Sequence, residues 1–292
     1  MALEISDNRI FTLYKHYSGA LQRLYDEREA QALARQVFDE LLHIPPSRLL
    51  AEPDRLLTES EILAIHFAFK DLLEGKPIQY VMGKAFFRGF ELQVQPGVLI
   101  PRPETEELVE WIVENSFVKQ GCRILDIGTG SGCIALSLAL ELKNPTVFAL
   151  DNSDTALSVA RANARKHQAE IIFLKADILE PETWSDLPQH LDVIVSNPPY
   201  VRQSERAQMH INVKAYEPEE ALFVPDEDPL KFYRAIAKAA HSCLKQAGRL
   251  YFEINEEFAK ETAQLLNATG FRDIEVKKDF RGKDRFVRAI HP

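Results

Sequence analysis

A β-branched run, Val193-Ile194-Val195-Ser196, ends abruptly in Asn197-Pro198-Pro199-Tyr200. Such a run predicts a buried strand, and the prolines stop it: neither carries an N–H for a ladder, and each holds the residue before it extended. The chain must leave the sheet there as a stiff arch. The side-chain oxygen of Asn197 and the carbonyl of Pro198 are then acceptors at fixed places beside the ring of Tyr200. Two acceptors and an aromatic face make a receptor for a planar NH2 group, either a carboxamide or the exocyclic amine of a base. A rigid turn with a packed tyrosine would use the same residues, so the motif needs support from elsewhere in the chain. Asn197, Pro198 and Tyr200 are the candidate catalytic residues, and with Pro199 they form the candidate substrate-binding set.

That support lies upstream, in Asp126-Ile127-Gly128-Thr129-Gly130-Ser131-Gly132. Glycines at alternate positions between a strand and a helix allow a tight turn and close approach of a ligand to the backbone. The pattern is G-x-G-x-G rather than the dinucleotide fingerprint G-x-G-x-x-G, which favours a ligand without a phosphate. Asp151 ends the next strand, where a carboxylate can accept from ribose hydroxyls, and Asp177 ends the one after, where it can accept from an adenine amine while Ile178 packs on the ring. Either aspartate alone could be a helix N-cap; their shared place at the C-terminal edge of a parallel sheet favours a ligand role. The candidate cofactor-binding set is Asp126, Gly128, Thr129, Gly130, Ser131, Gly132, Asp151, Asp177, Ile178 and Asn197. Together they describe a site for S-adenosylmethionine, with no metal.

The elements that must position these residues follow from periodicity. Residues 1–75 read as helical: Leu33, Val37, Leu41 and Leu42 recur at helical spacing behind Asp26, Glu27 and Glu29, and Thr58 to Glu61 opens a further helix that stops at Gly75. This bundle could be a passive scaffold or a grip on a partner. Residues 76–105 form a linker, with a hairpin predicted between about 77 and 101 around Gly89 and Pro96-Gly97. Arg102, Glu104 and Thr105 either close over the cofactor or cap a helix beginning near Thr105. From 106 to 292 strands alternate with helices, which predicts an α/β fold with a doubly wound parallel sheet. Strand candidates 273–280 and 284–291 are joined by Arg281-Gly282-Lys283, too short for a crossover, so they must pair antiparallel. Seven strands with the final one reversed resemble the class I S-adenosylmethionine-dependent methyltransferase fold.

Composition narrows the function classes. The 292 residues are 46% hydrophobic and 27% charged, as in a globular chain, and the net charge of −9 argues against affinity based on phosphate neutralisation. No apolar segment is long enough to span a bilayer and the first residues lack a basic, then apolar, leader, so a cytoplasmic location is expected. Cys122, Cys133 and Cys243 have no metal-binding or C-x-x-C spacing and are expected to be reduced, buried thiols. His210, the nearest histidine downstream of the motif, has no sequence partner and is expected at the surface.

The glycine loop, two acidic strand ends and Asn-Pro-Pro-Tyr, in that order, resemble amino-group methyltransferases. The whole chain is similar to the peptide chain release factor glutamine N5-methyltransferases, the PrmC/HemK family. The similarity runs through Gly75 to Gly83, Leu99-Ile100-Pro101-Arg102-Pro103-Glu104-Thr105-Glu106, Leu125 to Gly132, Asn197 to Tyr200, and Gly282-Lys283-Asp284-Arg285. One departure is Ile178, where some members carry tryptophan. The resemblance implies methyl transfer from S-adenosylmethionine to the glutamine amide nitrogen in the Gly-Gly-Gln loop of class 1 release factors, by a monomer that contacts neither nucleic acid nor membrane. Ribosomal-protein glutamine methyltransferases share the motif and fold. Nucleic-acid amino-group methyltransferases share the motif but need a basic recognition surface, which this acidic sequence lacks. In this reading Asn197 acts as a simple acceptor, so Asn197→Asp, which keeps an acceptor, is predicted to retain more activity than Asn197→Ala.

Overall fold

A computed structural model describes residues 7–115 and 120–292, which divide into two compact units. The first comprises the chain to Gly83 together with His210–Tyr216. It contains α1 (Ile10–Leu21), α2 (Glu27–Leu42), α3 (Pro46–Ala51), α4 (Glu59–Leu73), α5 (Ile78–Met82) and the later α9 (Ile211–Tyr216). The starts of its long helices are chemically marked. Asp26 accepts from the Glu29 N–H at 2.8 Å, and Thr58 and Glu61 form a reciprocal capping box, each cap being worth about 1 kcal/mol. Ile10, Leu13, Val37, Phe38, Ile65 and Leu72 fill the core, where Tyr17 stacks on Phe69 with ring centroids 4.0 Å apart.

Two expectations for this unit change. The buried face of α2 is Ala30, Ala34, Val37 and Phe38, while Leu41 is 38% exposed. The small alanines lie on the inward line and the leucines flank it. The expected hairpin also starts later, because Ile78–Met82 is helical: Pro77 precedes it with φ already near the helical value, and Gly83 caps it in the left-handed region at φ +69°. The helical unit therefore continues past residue 75 to Gly83. His210 is exposed, as expected.

The second unit spans Lys84–Met209 and Glu217–Pro292. The hairpin of β1 (Lys84–Phe87) and β2 (Phe90–Gln93) turns through Arg88 and Gly89, both at positive φ. Helix α6 (Pro103–Val113) follows, then β3 (Arg123–Ile127), α7 (Cys133–Glu141), β4 (Thr146–Asp151), α8 (Asp154–Lys166), β5 (Ile171–Lys175) and β6 (Leu191–Ser196). A short parallel pair, β7 (Val201–Arg202) and β8 (Phe223–Val224), precedes α10 (Lys231–Cys243), β9 (Leu244–Glu253), α11 (Ala259–Ala268), β10 (Arg272–Lys278) and β11 (Asp284–Ile290). The seven-stranded sheet has the order β10-β11-β9-β6-β3-β4-β5, with β11 antiparallel to both its neighbours and the rest parallel. The expected doubly wound architecture with a reversed last strand is therefore present.

Strand order reverses direction between β3 and β6, and a ligand crevice is expected beyond the carboxyl ends of such a pair. Register brings those ends level: Ile127 lies opposite both Leu150 and Ser196, and Ser196 opposite Phe252. The residues one step further, Gly128, Asp151, Asn197 and Glu253, consequently leave the sheet side by side. Among the described residues no helix is long and apolar enough to cross a membrane.

Candidate active site

The crevice at this edge encloses about 1050 Å³, counted out to its open mouth. Its floor is the turn after β3. Gly128 and Gly130 sit at φ +73° and +56°, and a Cβ on either would project into open space. The left-handed backbone demands glycine there, and the missing side chains keep the floor clear. Backbone N–H groups of Gly128 and Thr129 bond to the Leu150 carbonyl, which seats the turn on β4. Asp151 extends the seat: one carboxylate oxygen accepts from the Gly130 N–H at 2.9 Å and the other from the Ser153 N–H at 2.9 Å. Burial pushes the Asp151 carboxyl up, opposed by those backbone donors. Each oxygen keeps a lone pair for an outside hydroxyl.

Asp177 and Ile178 form the wall beyond β5. Asp177 accepts from the Leu179 N–H at 2.8 Å, and the Ile178 carbonyl is pinned by the Trp184 indole N–H at 3.0 Å. Thr129, Ser131, Asn197, Pro198 and Pro199 complete the expected lining. Arg102, one of the residues expected either to close over the cofactor or to cap a helix, lies in the lining; sequence reasoning missed the strap Gly97–Pro101 before it, and missed Phe232 and Ile236 of α10. Cys133 also lies in the wall; desolvation pushes its thiol up to about 12, so it is a neutral surface and not a nucleophile.

Three expected site residues stand elsewhere. Asp126 is fully buried behind the turn, with one oxygen accepting from the Thr129 hydroxyl at 2.7 Å and the Ala135 N–H at 3.2 Å, and the other oxygen without a partner among the described residues. It braces the loop from inside, and burial pushes its carboxyl up to about 7. Gly132, at φ +81°, opens α7 against α8: an added Cβ would meet the Ala160 Cβ at 3.0 Å. Tyr200 lies beyond the cleft wall, packed on the core cluster under α10, and its hydroxyl donates to Glu253 at 3.1 Å.

The linker residues have definite partners. Glu217, almost fully buried, accepts from the Ile100 N–H at 3.1 Å and from the Arg102 guanidinium at 2.6 Å, tying the strap to the loop that carries Pro218, Glu220 and Ala221. Glu104 faces Arg281 at 3.7 Å. Helix α6 begins at Pro103, not at Thr105, and its N-cap Arg102 makes no side-chain cap bond. Thr105 is 2% exposed and donates its hydroxyl to Glu253 at 2.7 Å, while the Asn197 NH2 donates to the Thr105 oxygen at 3.2 Å. Burial pushes the Glu253 carboxyl up, against the pull of the Thr105 and Tyr200 hydroxyls and of Arg285.

With the Asn197 NH2 donating to Thr105, its side-chain oxygen meets no donor among the described residues and is left to accept, and Asn197 and Pro198 both line the cleft. The lining carries three carboxylates, Asp151, Asp177 and Glu220, against a single guanidinium, Arg102. That balance suits a cationic ligand better than a phosphate-bearing one. A sulfonium nucleoside fits: hydroxyl acceptors at Asp151, an apolar face at Ile178 and a cleared glycine floor.

The family description "Methyltransferase small domain" matches residues 104–216, and "PrmC N-terminal domain" matches residues 12–83. A release factor glutamine methyltransferase of Flavobacterium psychrophilum is 45% identical over 273 residues, covering 92% of this chain and 95% of its own length. One of Bacteroides thetaiotaomicron is 41% identical over 282 residues, covering 97% and 99%. Among solved structures, a methyltransferase from Pyrococcus furiosus covers 70% of this chain and 89% of its own, at 17% identity and a TM-score of 0.50, a likeness of fold. Near-complete coverage at such identity joins with the glycine floor and the Asn-Pro-Pro-Tyr arch: this chain belongs to the release factor glutamine methyltransferase family.

Proposed function

We propose that this chain transfers a methyl group from S-adenosylmethionine to the side-chain amide nitrogen of the glutamine in the Gly-Gly-Gln loop of class 1 release factors. The observation that supports the reading is the Asn197 carboxamide, whose NH2 donates to Thr105 and leaves its oxygen to accept, on a residue that lines the cleft together with Pro198. Bound S-adenosylmethionine supplies an electrophilic methyl on a sulfonium that leaves as a neutral thioether. Gly128, Gly130, Asp151, Asp177 and Ile178 are the residues that would hold it.

An amide nitrogen is a poor nucleophile because its lone pair is shared with its carbonyl. Asn197 and Pro198 accept its two N–H bonds, turn the nitrogen toward the methyl and stabilise positive charge as the new N–C bond forms. The N-methylated amide then loses one proton to solvent, so no strong base is required. The net charge of −9 supports a protein substrate over a nucleic acid. Every residue lining the cleft comes from the α/β unit, which supports assigning the helical unit to the protein substrate. A folded chain lacking that unit should bind cofactor within a few-fold of the intact protein; equal methylation of release factor by it would remove this assignment.

The deciding experiment is mass spectrometry of purified release factor incubated with the protein and S-adenosylmethionine. One added methyl on the Gly-Gly-Gln peptide is the expected result. Methylation confined to ribosomal protein or nucleic acid offered in parallel would overturn the reading.

A further inference from the structure

Two buried polar side chains, Thr105 and Glu253, and the half-buried Tyr200 form a chain behind Asn197 that the methyl-transfer chemistry does not itself require. Glu253 is the C-terminal residue of β9, after the apolar run Leu250-Tyr251-Phe252, and is 1% exposed. Two hydroxyls converge on its carboxylate, Thr105 on one oxygen at 2.7 Å and Tyr200 on the other at 3.1 Å. A hydroxyl has one proton to give. Since the Thr105 proton goes to Glu253, its oxygen can only accept on its other side, and only the NH2 edge of Asn197 can meet it at 3.2 Å. A carboxamide is close to symmetric in shape, so packing alone would hold it almost equally well with oxygen and nitrogen exchanged. The distinction is made by hydrogen-bond polarity, passed from a buried acceptor through one hydroxyl.

We infer that Thr105 and Glu253 are positioning residues that fix which edge of the Asn197 carboxamide faces the substrate, and thereby make the site select an N–H-bearing amide over a carboxylate. This rests on the glutamine-methyltransferase reading and deepens it. With the oxygen of Asn197 and the carbonyl of Pro198 outward, the arch offers acceptors alone. A glutamine NH2 satisfies both, whereas a glutamate side chain brings only acceptors and leaves them opposed. If the Asn197 amide turned over, it would present a donor where the substrate also has a donor, and the discrimination would weaken together with the rate.

The chain can be reversed with little change of shape. Glu253→Gln places an NH2 among the two hydroxyls, so one of them must accept from it and turn its own proton outward. Where that hydroxyl is Thr105, it donates to Asn197 and turns the amide over. Thr105→Val removes the polarity signal at nearly constant volume, and Thr105→Ser restores it. The measurements are kcat on the release factor, cofactor affinity by calorimetry, and the ratio of binding constants for release factors carrying Gln or Glu at the modified position, taken with the demethylated cofactor product bound.

The expected result for Glu253→Gln and Thr105→Val is cofactor affinity within about threefold of wild type, kcat lower by roughly tenfold or more, and a reduced Gln-over-Glu binding ratio. Thr105→Ser should recover the rate and ratio that Thr105→Val loses. The inference is overturned if both variants keep kcat within about threefold, or if kcat falls while the Gln-over-Glu ratio holds, since that is the mark of a merely structural role. Should Glu253→Gln fail to fold, the Thr105 pair decides alone. Failure of wild-type protein to methylate release factor would instead remove the underlying reading, so the two failures are distinguishable.

Discussion

Asn197→Asp is the substitution for which structure and sequence disagree, and the disagreement can be worked through. As an isolated acceptor, Asp should serve nearly as well as Asn. In the structure one of its two oxygens must replace the NH2 that now donates to Thr105 at 3.2 Å, and Thr105 already donates to Glu253 at 2.7 Å. Two carboxylates would then flank one hydroxyl, no more than about 6 Å apart; at an effective dielectric near 20 that repulsion is roughly 3 kcal/mol. It must be relieved by rotating the new side chain away from its place or by protonating a carboxyl. Burial already pushes the Glu253 carboxyl up and the repulsion adds to it, so the pair would hold a proton to a pH well above the usual carboxylate range. Above that pH the variant loses the oriented acceptor, as Asn197→Ala does, which should lower kcat by about 10² to 10³. Below it, a neutral carboxylic acid can donate its O–H to Thr105 and keep its carbonyl oxygen outward, as Asn does. The assay is kcat on release factor for wild type, Asn197→Ala and Asn197→Asp between pH 5.5 and pH 8.5 (about three units), with the variant-to-wild-type ratio plotted. The Asp ratio should equal or fall below the Ala ratio at high pH and rise toward low pH. An Asp variant that outperforms Ala about tenfold at high pH, with a flat ratio, would refute the polarity of the Thr105–Glu253 chain.

Asp151→Ala should weaken cofactor binding by roughly 1.5 to 3 kcal/mol in calorimetry, through lost hydroxyl acceptors and loss of the Gly130 tether, and a chelator should leave wild-type binding unchanged. Tyr200→Phe keeps the ring on the core but removes one of two hydroxyls on Glu253, so kcat should stay within about tenfold of wild type, while Tyr200→Ala loses more. Asp126 contributes a pH-dependent stability term. Its carboxyl is raised from 3.8 to about 7 by burial, so its neutral form favours the folded state fully below pH 3.8, and that contribution is lost as pH rises to about 7. Conversion at 1.36 kcal/mol per unit gives roughly 4 kcal/mol. Asp126→Asn keeps the oxygen that Thr129 and Ala135 use, so in thermal melts wild type should lose Tm as pH rises from 3.8 to about 7 and the variant should not. Parallel melting profiles of the two proteins would show that Asp126 does not carry this penalty.

Strand ends are legible in sequence because they are local. Val193 to Ser196 stopped by two prolines, and Arg123 to Ile127 stopped by glycines, announce their own boundaries, and both strands end where their residues predict. The resemblance to a known sheet order then says which ends are neighbours. Short helix α5 was hidden because its five residues are too few to show a period, although Pro77 and Gly83 at its ends were readable signals. Asp126 and Gly132 fall within the motif by position yet face away from the cleft, since a turn that presents alternate residues to a ligand must present the others to the protein.

What resisted reading is the direction of the hydrogen bonds. A lone glutamate closing an apolar strand, Leu250-Tyr251-Phe252-Glu253, was a visible anomaly, because a buried carboxylate persists only when its lone pairs are met. The sequence did not say by whom: Thr105 lies 148 positions before it, and Asn197 stands 92 from Thr105. The same holds for Glu217 and Arg102, 115 apart. Such pairs exist because β9 lies next to β6 and their level ends set Asn197 beside Glu253. An asparagine in sequence offers a donor and an acceptor at once. On the inference drawn from Thr105 and Glu253, the buried acid behind it decides which of the two the substrate meets, and an ionised aspartate at position 197 is then predicted to be a poor substitute, whereas a reading that stops at the Asn-Pro-Pro-Tyr arch treats it as a fair one.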